Sequence, residues 1–126
     1  MIFEEHNIYH IYNRGNNKQA IFFYHKNYLF FLQKIKKELT PYCSILAYCL
    51  MPNHFHFMIY AKKEGCQLLN ETKTRPTTLS GQTSSKEMQV LTRKIGTLLS
   101  SYTRAINIEQ NRTGSLFQQK TKAKSL

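Results

Sequence analysis

The sequence predicts an α+β fold in which a four-stranded antiparallel sheet carries two helices on one face. Three observations point to it. Apolar and polar residues alternate with a period of two over His54–Tyr60 and over Asn7–Asn13, as strands with one buried face do. Two stretches, about His25 to Leu39 and about Met88 to Ile108, repeat apolar residues at helical spacing. Turn signals separate these segments and leave the order strand, helix, strand, strand, helix, strand.

The first strand sets Ile8, His10 and Tyr12 opposite Tyr9 and Ile11. The loop Arg14-Gly15-Asn16-Asn17-Lys18-Gln19 is either an ordinary solvated turn or a donor-rich lip for phosphates and base edges. Ile21-Phe22-Phe23 then buries itself and leads into the first helix. Tyr28, Phe31, Leu32, Ile35 and Leu39 form its apolar stripe, and Thr40-Pro41 ends it. Cys43–Met51 is apolar on both faces, which predicts a central strand. The tight Pro52-Asn53 connection makes it antiparallel to the strand that follows. Residues 62–84 turn polar and small, with Pro76 inside, and read as a long mobile insertion. Ser84-Ser85-Lys86-Glu87 resembles a capping box. Met88, Leu91, Ile95, Leu98, Tyr102 and Ile106 keep one apolar face along the second helix. Asn111-Arg112-Thr113-Gly114 closes it, Ser115–Lys120 is expected as a last short strand, and Lys120, Lys122 and Lys124 as solvated. This order is the ferredoxin-like βαββαβ plan, with one sheet face under the helices and the other open.

The chain of 126 residues has the length of one domain, and its longest uncharged apolar run is too short to span a bilayer. The start shows no basic-then-apolar signal pattern, so a cytoplasmic location is expected. Cys43, Cys49 and Cys66 lack metal spacing and read as reduced core or near-core residues, with Cys43 and Cys49 on one strand face. Lys and Arg number 18 against seven acids, a net charge of +11 that predicts a polyanionic partner, nucleic acid before membrane. All seven acids are scattered Glu, so the carboxylate clusters of two-metal nucleases are excluded. If metal assists phosphodiester chemistry here, histidine must supply ligands. Strand parity puts His54 and His56 together on the open face, while Phe55, Phe57 and Ile59 face the helices.

Four segments together resemble the IS200-like, HUH-type (Y1) single-strand transposases, most nearly the REP-associated tyrosine transposase branch. They are Tyr12-Asn13-Arg14-Gly15-Asn16-Asn17, Met51-Pro52-Asn53-His54-Phe55-His56, Tyr102-Thr103-Arg104, and Asn111 to Gln118. The resemblance implies that His54 and His56 hold Mg²⁺ or Mn²⁺ and that single-stranded or hairpin DNA is the partner. It also implies cleavage and rejoining through a 5′-phosphotyrosine, by a monomer or a homodimer. Asn13, Arg14, Asn16, Asn17, Lys18, Arg93, Lys94, Arg104 and Arg112 are the candidate DNA contacts. The family's nucleophilic tyrosine sits on a helix after the last strand, in a Tyr-Ile-x-x-Asn-Pro-like stretch that is not found up to Leu126. The expectation is therefore a truncated, inactive chain. Tyr102 is the tempting substitute, but it continues the apolar face of Ile95, Leu98 and Ile106 and reads as core. A non-catalytic DNA-binding module, a replication initiator or relaxase, and an RNA-binding domain are the alternatives.

Overall fold

A computed structural model of the chain describes residues 1–69 and 88–126. Its elements run β1 (Ile8–Arg14), α1 (His25–Leu39), β2 (Cys43–Met51), β3 (His54–Ala61), α2 (Lys63–Cys66), α3 (Val90–Glu109) and β4 (Lys122–Ser125). A single 3-10 turn, Asn16–Lys18, follows β1. The strands lie in the order β2-β3-β1-β4, each antiparallel to its neighbour. This is the ferredoxin-like arrangement.

Parity sets the two faces. Phe55, Phe57, Ile59 and Ala61 of β3 are buried with Tyr9 and Ile11 of β1. They pack with Phe31, Ile35 and Leu39 of α1 and with Leu91, Ile95, Leu98, Tyr102 and Ile106 of α3. Each buried Phe, Ile or Leu among them contributes about 1.5–3 kcal/mol by leaving water. A one-residue slip in register would turn the whole row outward, so the register that exposes the histidines is strongly held.

Polar side chains tie the layers together. Asn27 is buried at the start of α1, where its Oδ1 accepts from the Phe23 and Tyr24 amides at 2.7 and 2.9 Å. Its Nδ2 donates to the Glu109 carboxylate at 3.1 and 3.3 Å, joining the first turn of α1 to the end of α3. Gln89, also buried, accepts from the Phe3 amide at 2.8 Å and donates to the Phe3 and Cys66 carbonyls at 2.8 and 3.0 Å. Gln89→Leu keeps the size but strands these groups, and it is expected to cost about 2–3 kcal/mol. Urea unfolding should show a lower midpoint with the slope unchanged. An unchanged midpoint would mean that the clamp contributes nothing.

The structure corrects several expectations. β2 is an edge strand, not a central one. Its doubly apolar sequence tolerates burial but cannot supply a second neighbour, and Leu46, Tyr48 and Met51 stay exposed. A bulge between Ile45 and Ala47 inserts Leu46 and reverses the parity. Cys43 therefore faces the core opposite Ala61, whereas Cys49 pairs with His56 on the open face and is exposed. Burial pushes the Cys43 thiol up to about 12. The last strand is Lys122–Ser125, not Ser115–Lys120, because Leu116 and Phe117 drop into the core first. Of the expected insertion, Lys63–Cys66 forms a helical turn and Leu68 bridges to Gln89. The capping box at Ser84–Glu87 lies outside the described residues. Among the described residues, no helix is long and apolar enough to cross a membrane.

Candidate metal and nucleic-acid site

The open face is assembled by register. His54 pairs with Arg14, His56 with Tyr12, and Met58 with His10 across the β3–β1 ladder. On the far side of β1, Lys122 pairs with Tyr12 and Lys124 with His10. On the far side of β3, Met51 and Cys49 pair with His54 and His56. A cavity of about 500 Å³ opens over this surface, lined by Tyr12, Asn13, Arg14, Lys18, Asn53, His54, His56, Gln118, Lys120 and Lys122. Lys120, Lys122 and Lys124 are exposed, as expected, and the first two also stand on its wall.

Both histidines are held from behind. His54 Nδ1 lies 2.9 Å from Asn53 Oδ1, an acceptor, so the ring proton belongs on Nδ1 and the lone pair on Nε2. His56 Nδ1 lies 2.8 Å from His10 Nε2. The His54 and His56 rings are 5.1 Å apart and nearly perpendicular. Burial, reinforced by the positive charge that His10 and His54 can carry, holds the His56 imidazole below its ordinary range. The neutral, ligating form of His56 thus persists to lower pH than in a free histidine. Among the described residues, no group of three or more His, Cys, Asp or Glu forms a metal cage. By donor chemistry, two imidazole nitrogens would suit Mn²⁺ better than Mg²⁺, which favours oxygen.

The loop after β1 is shaped by close packing. A Cβ on Gly15 would lie 2.1 Å from the Gln19 carbonyl oxygen, so only glycine fits there. The Gly15 amide donates to the Asn53 carbonyl at 2.9 Å, and the Ile21 amide to the Pro52 carbonyl at 2.8 Å, locking loop to hairpin. Several predicted DNA contacts serve this scaffold. Asn13 is buried and donates to the Gln118 carbonyl and Thr121 hydroxyl at 3.1 and 2.9 Å. Asn16 donates to the Ser115 hydroxyl at 2.7 Å. Arg112 donates to Asn107 Oδ1, to Gln19 Oε1 at 2.8 Å and to the Ser115 carbonyl at 3.3 Å. Asn17 and Lys18 form the exposed tip in left-handed conformation, with φ of 54° and 60°.

The remaining predicted cations are elsewhere. Arg93, Lys94 and Arg104 belong to α3, which covers the face opposite the histidines. Lys94 lies 4.0 Å from Glu38 and over the Tyr42 ring. Tyr102 is fully buried and donates its hydroxyl to the Ile21 carbonyl at 2.7 Å. Tyr60 shares the histidine face, but its hydroxyl meets His6 Nδ1 at 2.6 Å. Tyr12 is the tyrosine the ladder sets beside His56, with ring centroids 5.8 Å apart. His10 and Tyr12 were legible only as members of the outward row of β1; their meeting with His56 required the register.

Fold and site together define a ferredoxin-like domain with paired histidines on an open, cationic sheet face. No family model and no curated protein matches the sequence. Among solved structures the chain is similar to a REP-associated tyrosine transposase bound to a REP hairpin, with a TM-score of 0.64 and 9% identity. The similarity covers 100% of this chain and 59% of that one. At that identity the likeness establishes the shared fold.

Proposed function

We propose that this chain is the DNA-binding body of a tyrosine-transposase-like protein and takes single-stranded or hairpin DNA across its open sheet face. The observation that carries the reading is the pair of backed histidines, His54 and His56, facing a cavity walled by Arg14, Lys18, Lys120 and Lys122. The structural neighbour's hairpin complex supports the choice of partner. Arg14 and the lysines bind phosphates, and the Tyr12 ring offers a base a stacking surface. His54 and His56 would hold Mn²⁺ or Mg²⁺ through Nε2, the nitrogen each leaves free of its Nδ1 contact. When bound, the ion polarises the scissile phosphate and stabilises charge on its oxygens. The chain aligns the strand against that pair; following the resemblance, a tyrosine hydroxyl on a helix after the last strand attacks the phosphorus, the 3′-oxygen leaves as a free hydroxyl, and attack of a 3′-hydroxyl on the 5′-phosphotyrosine later rejoins the strand and frees the tyrosine. A non-catalytic binding module is the second reading. It is favoured by the hydroxyls of Tyr60 and Tyr102, already committed within the fold.

Fluorescence anisotropy with labelled hairpin, single-stranded and duplex oligonucleotides tests the partner. Hairpin or single strand should bind more tightly than duplex, and Mn²⁺ should tighten binding through His54 and His56. The double variant His54→Ala/His56→Ala should lose the Mn²⁺ effect while keeping the fold, since both side chains face away from the core. Incubation with Mn²⁺ followed by denaturing electrophoresis should show no covalent adduct. An adduct removed by Tyr12→Phe would move the nucleophile into this chain, and preference for duplex would overturn the reading.

A further inference from the structure

We propose that His10 is a positioning residue that sets the tautomer and aim of His56. The inference rests on reading His56 as a metal ligand through Nε2. To ligate there, His56 must carry its proton on Nδ1, and that proton needs an acceptor. His10 Nε2 stands 2.8 Å away with the two ring planes 21° apart, close to the in-plane approach of an N–H···N bond. His10 is not the register partner of His56; it pairs with Met58 and reaches diagonally. Its ring is in turn held by Tyr12, stacked at 4.6 Å and 28°. Asn53 does the same for His54, at 2.9 Å on the same ring nitrogen. The two ligands thus have parallel support: each Nδ1 is engaged from behind and each Nε2 is left for the ion. An outer partner of this kind fixes ring orientation and raises ligand basicity, and its loss typically costs 10–100-fold in metal affinity. The sequence gives no hint of the role, because His10 lies 46 residues away from His56.

The test uses the 126-residue chain with ¹⁵N-labelled histidine at pH 8. Long-range ¹H–¹⁵N correlation spectra read the tautomer of each ring without metal. His56 should carry its proton on Nδ1. In His10→Phe, which keeps a ring against Tyr12 but has no acceptor, His56 should move toward the Nε2–H form that free histidine favours. Mn²⁺ titration followed by electron paramagnetic resonance should show about tenfold or greater weakening in His10→Phe. His10→Gln, whose side-chain carbonyl can accept, should recover most of it. Nδ1 protonation unaltered in His10→Phe, or a wild-type His56 protonated on Nε2, would overturn the proposal. If His56→Ala leaves Mn²⁺ binding intact, the ligand reading fails instead, and the tautomer spectra still decide whether His10 orients the ring.

Discussion

Tyr102→Ala is expected to destabilise the chain by about 3–5 kcal/mol, a large share of the roughly 5–15 kcal/mol that holds a domain of this kind folded. The phenol is fully buried among rings from α1, from the segment before it and from the segment before β4. Phe31 meets it edge-on at 5.0 Å, Phe22 lies at 5.8 Å, Phe30 at 5.9 Å and Phe117 at 6.1 Å. Removing it opens a cavity that α1, α3 and the segment before β4 cannot all close at once. The hydroxyl adds a second cost, because it satisfies the Ile21 carbonyl just where the chain docks on the hairpin. Tyr102→Phe should therefore cost roughly 1 kcal/mol or somewhat more, and leave DNA binding unaltered. Burial, then the nearby Glu109 and Tyr28, drive the phenol's ionisation upward, so it is a poor nucleophile as well as an inaccessible one. Urea unfolding of the three proteins checks the order. An alanine variant as stable as the parent would show that this tyrosine is not a core residue.

Arg14→Ala/Lys122→Ala should weaken binding of a single-stranded oligonucleotide by at least about tenfold at moderate salt. The slope of log affinity against log salt should fall by about 1.4, since each single-strand phosphate contact carries about 0.7. Both residues wall the same cavity, Arg14 beside His54 and Lys122 beside Tyr12. The triple variant Arg93→Ala/Lys94→Ala/Arg104→Ala removes more charge but from the helix side of the sheet, and Lys94 already has Glu38 near it. Its affinity should stay within about twofold of the parent. Anisotropy titrations at several salt concentrations separate the sets. If the triple variant loses binding and the double one does not, the DNA lies across the helices and the histidine face is not its seat.

β2 and β4 depart from what hydropathy alone predicts. An unbroken period over Cys43–Met51 would keep Cys43 and Cys49 on one face; one extra residue at Leu46 carries Cys49 to the other. Apolar residues on both sides of that strand suggested two neighbouring strands, although strand order follows from which hairpins dock, not from hydropathy. The Lys122–Ser125 strand is short and polar, so no local signal marked it. It forms because β1 offers an open edge, and the ladder then places Lys122 and Lys124 on the histidine face. The amides of Asn13 and Asn16 and the guanidinium of Arg112 have the donor chemistry that recognises phosphate. The same donors bond carbonyls and hydroxyls, and here they close the loops around Ser115, Gln118 and Thr121.

What the sequence determined by itself was local and periodic. The alternation of His54–Tyr60 selects the face of both histidines, because four buried side chains on the other side outweigh any competing register. The stripe from Tyr28 to Leu39 and the Pro41 stop mark α1, and the apolar spacing through Tyr102 assigns that tyrosine to the core. Only the tertiary structure decided what meets across strands. The contact of His10 with His56, the opposition of Tyr12 and the lysines of β4 join residues whose separation in sequence bears no relation to their separation in space. Hydrophobic periodicity tells each segment which side to bury; the packing of one segment on another then decides which polar groups share the exposed side.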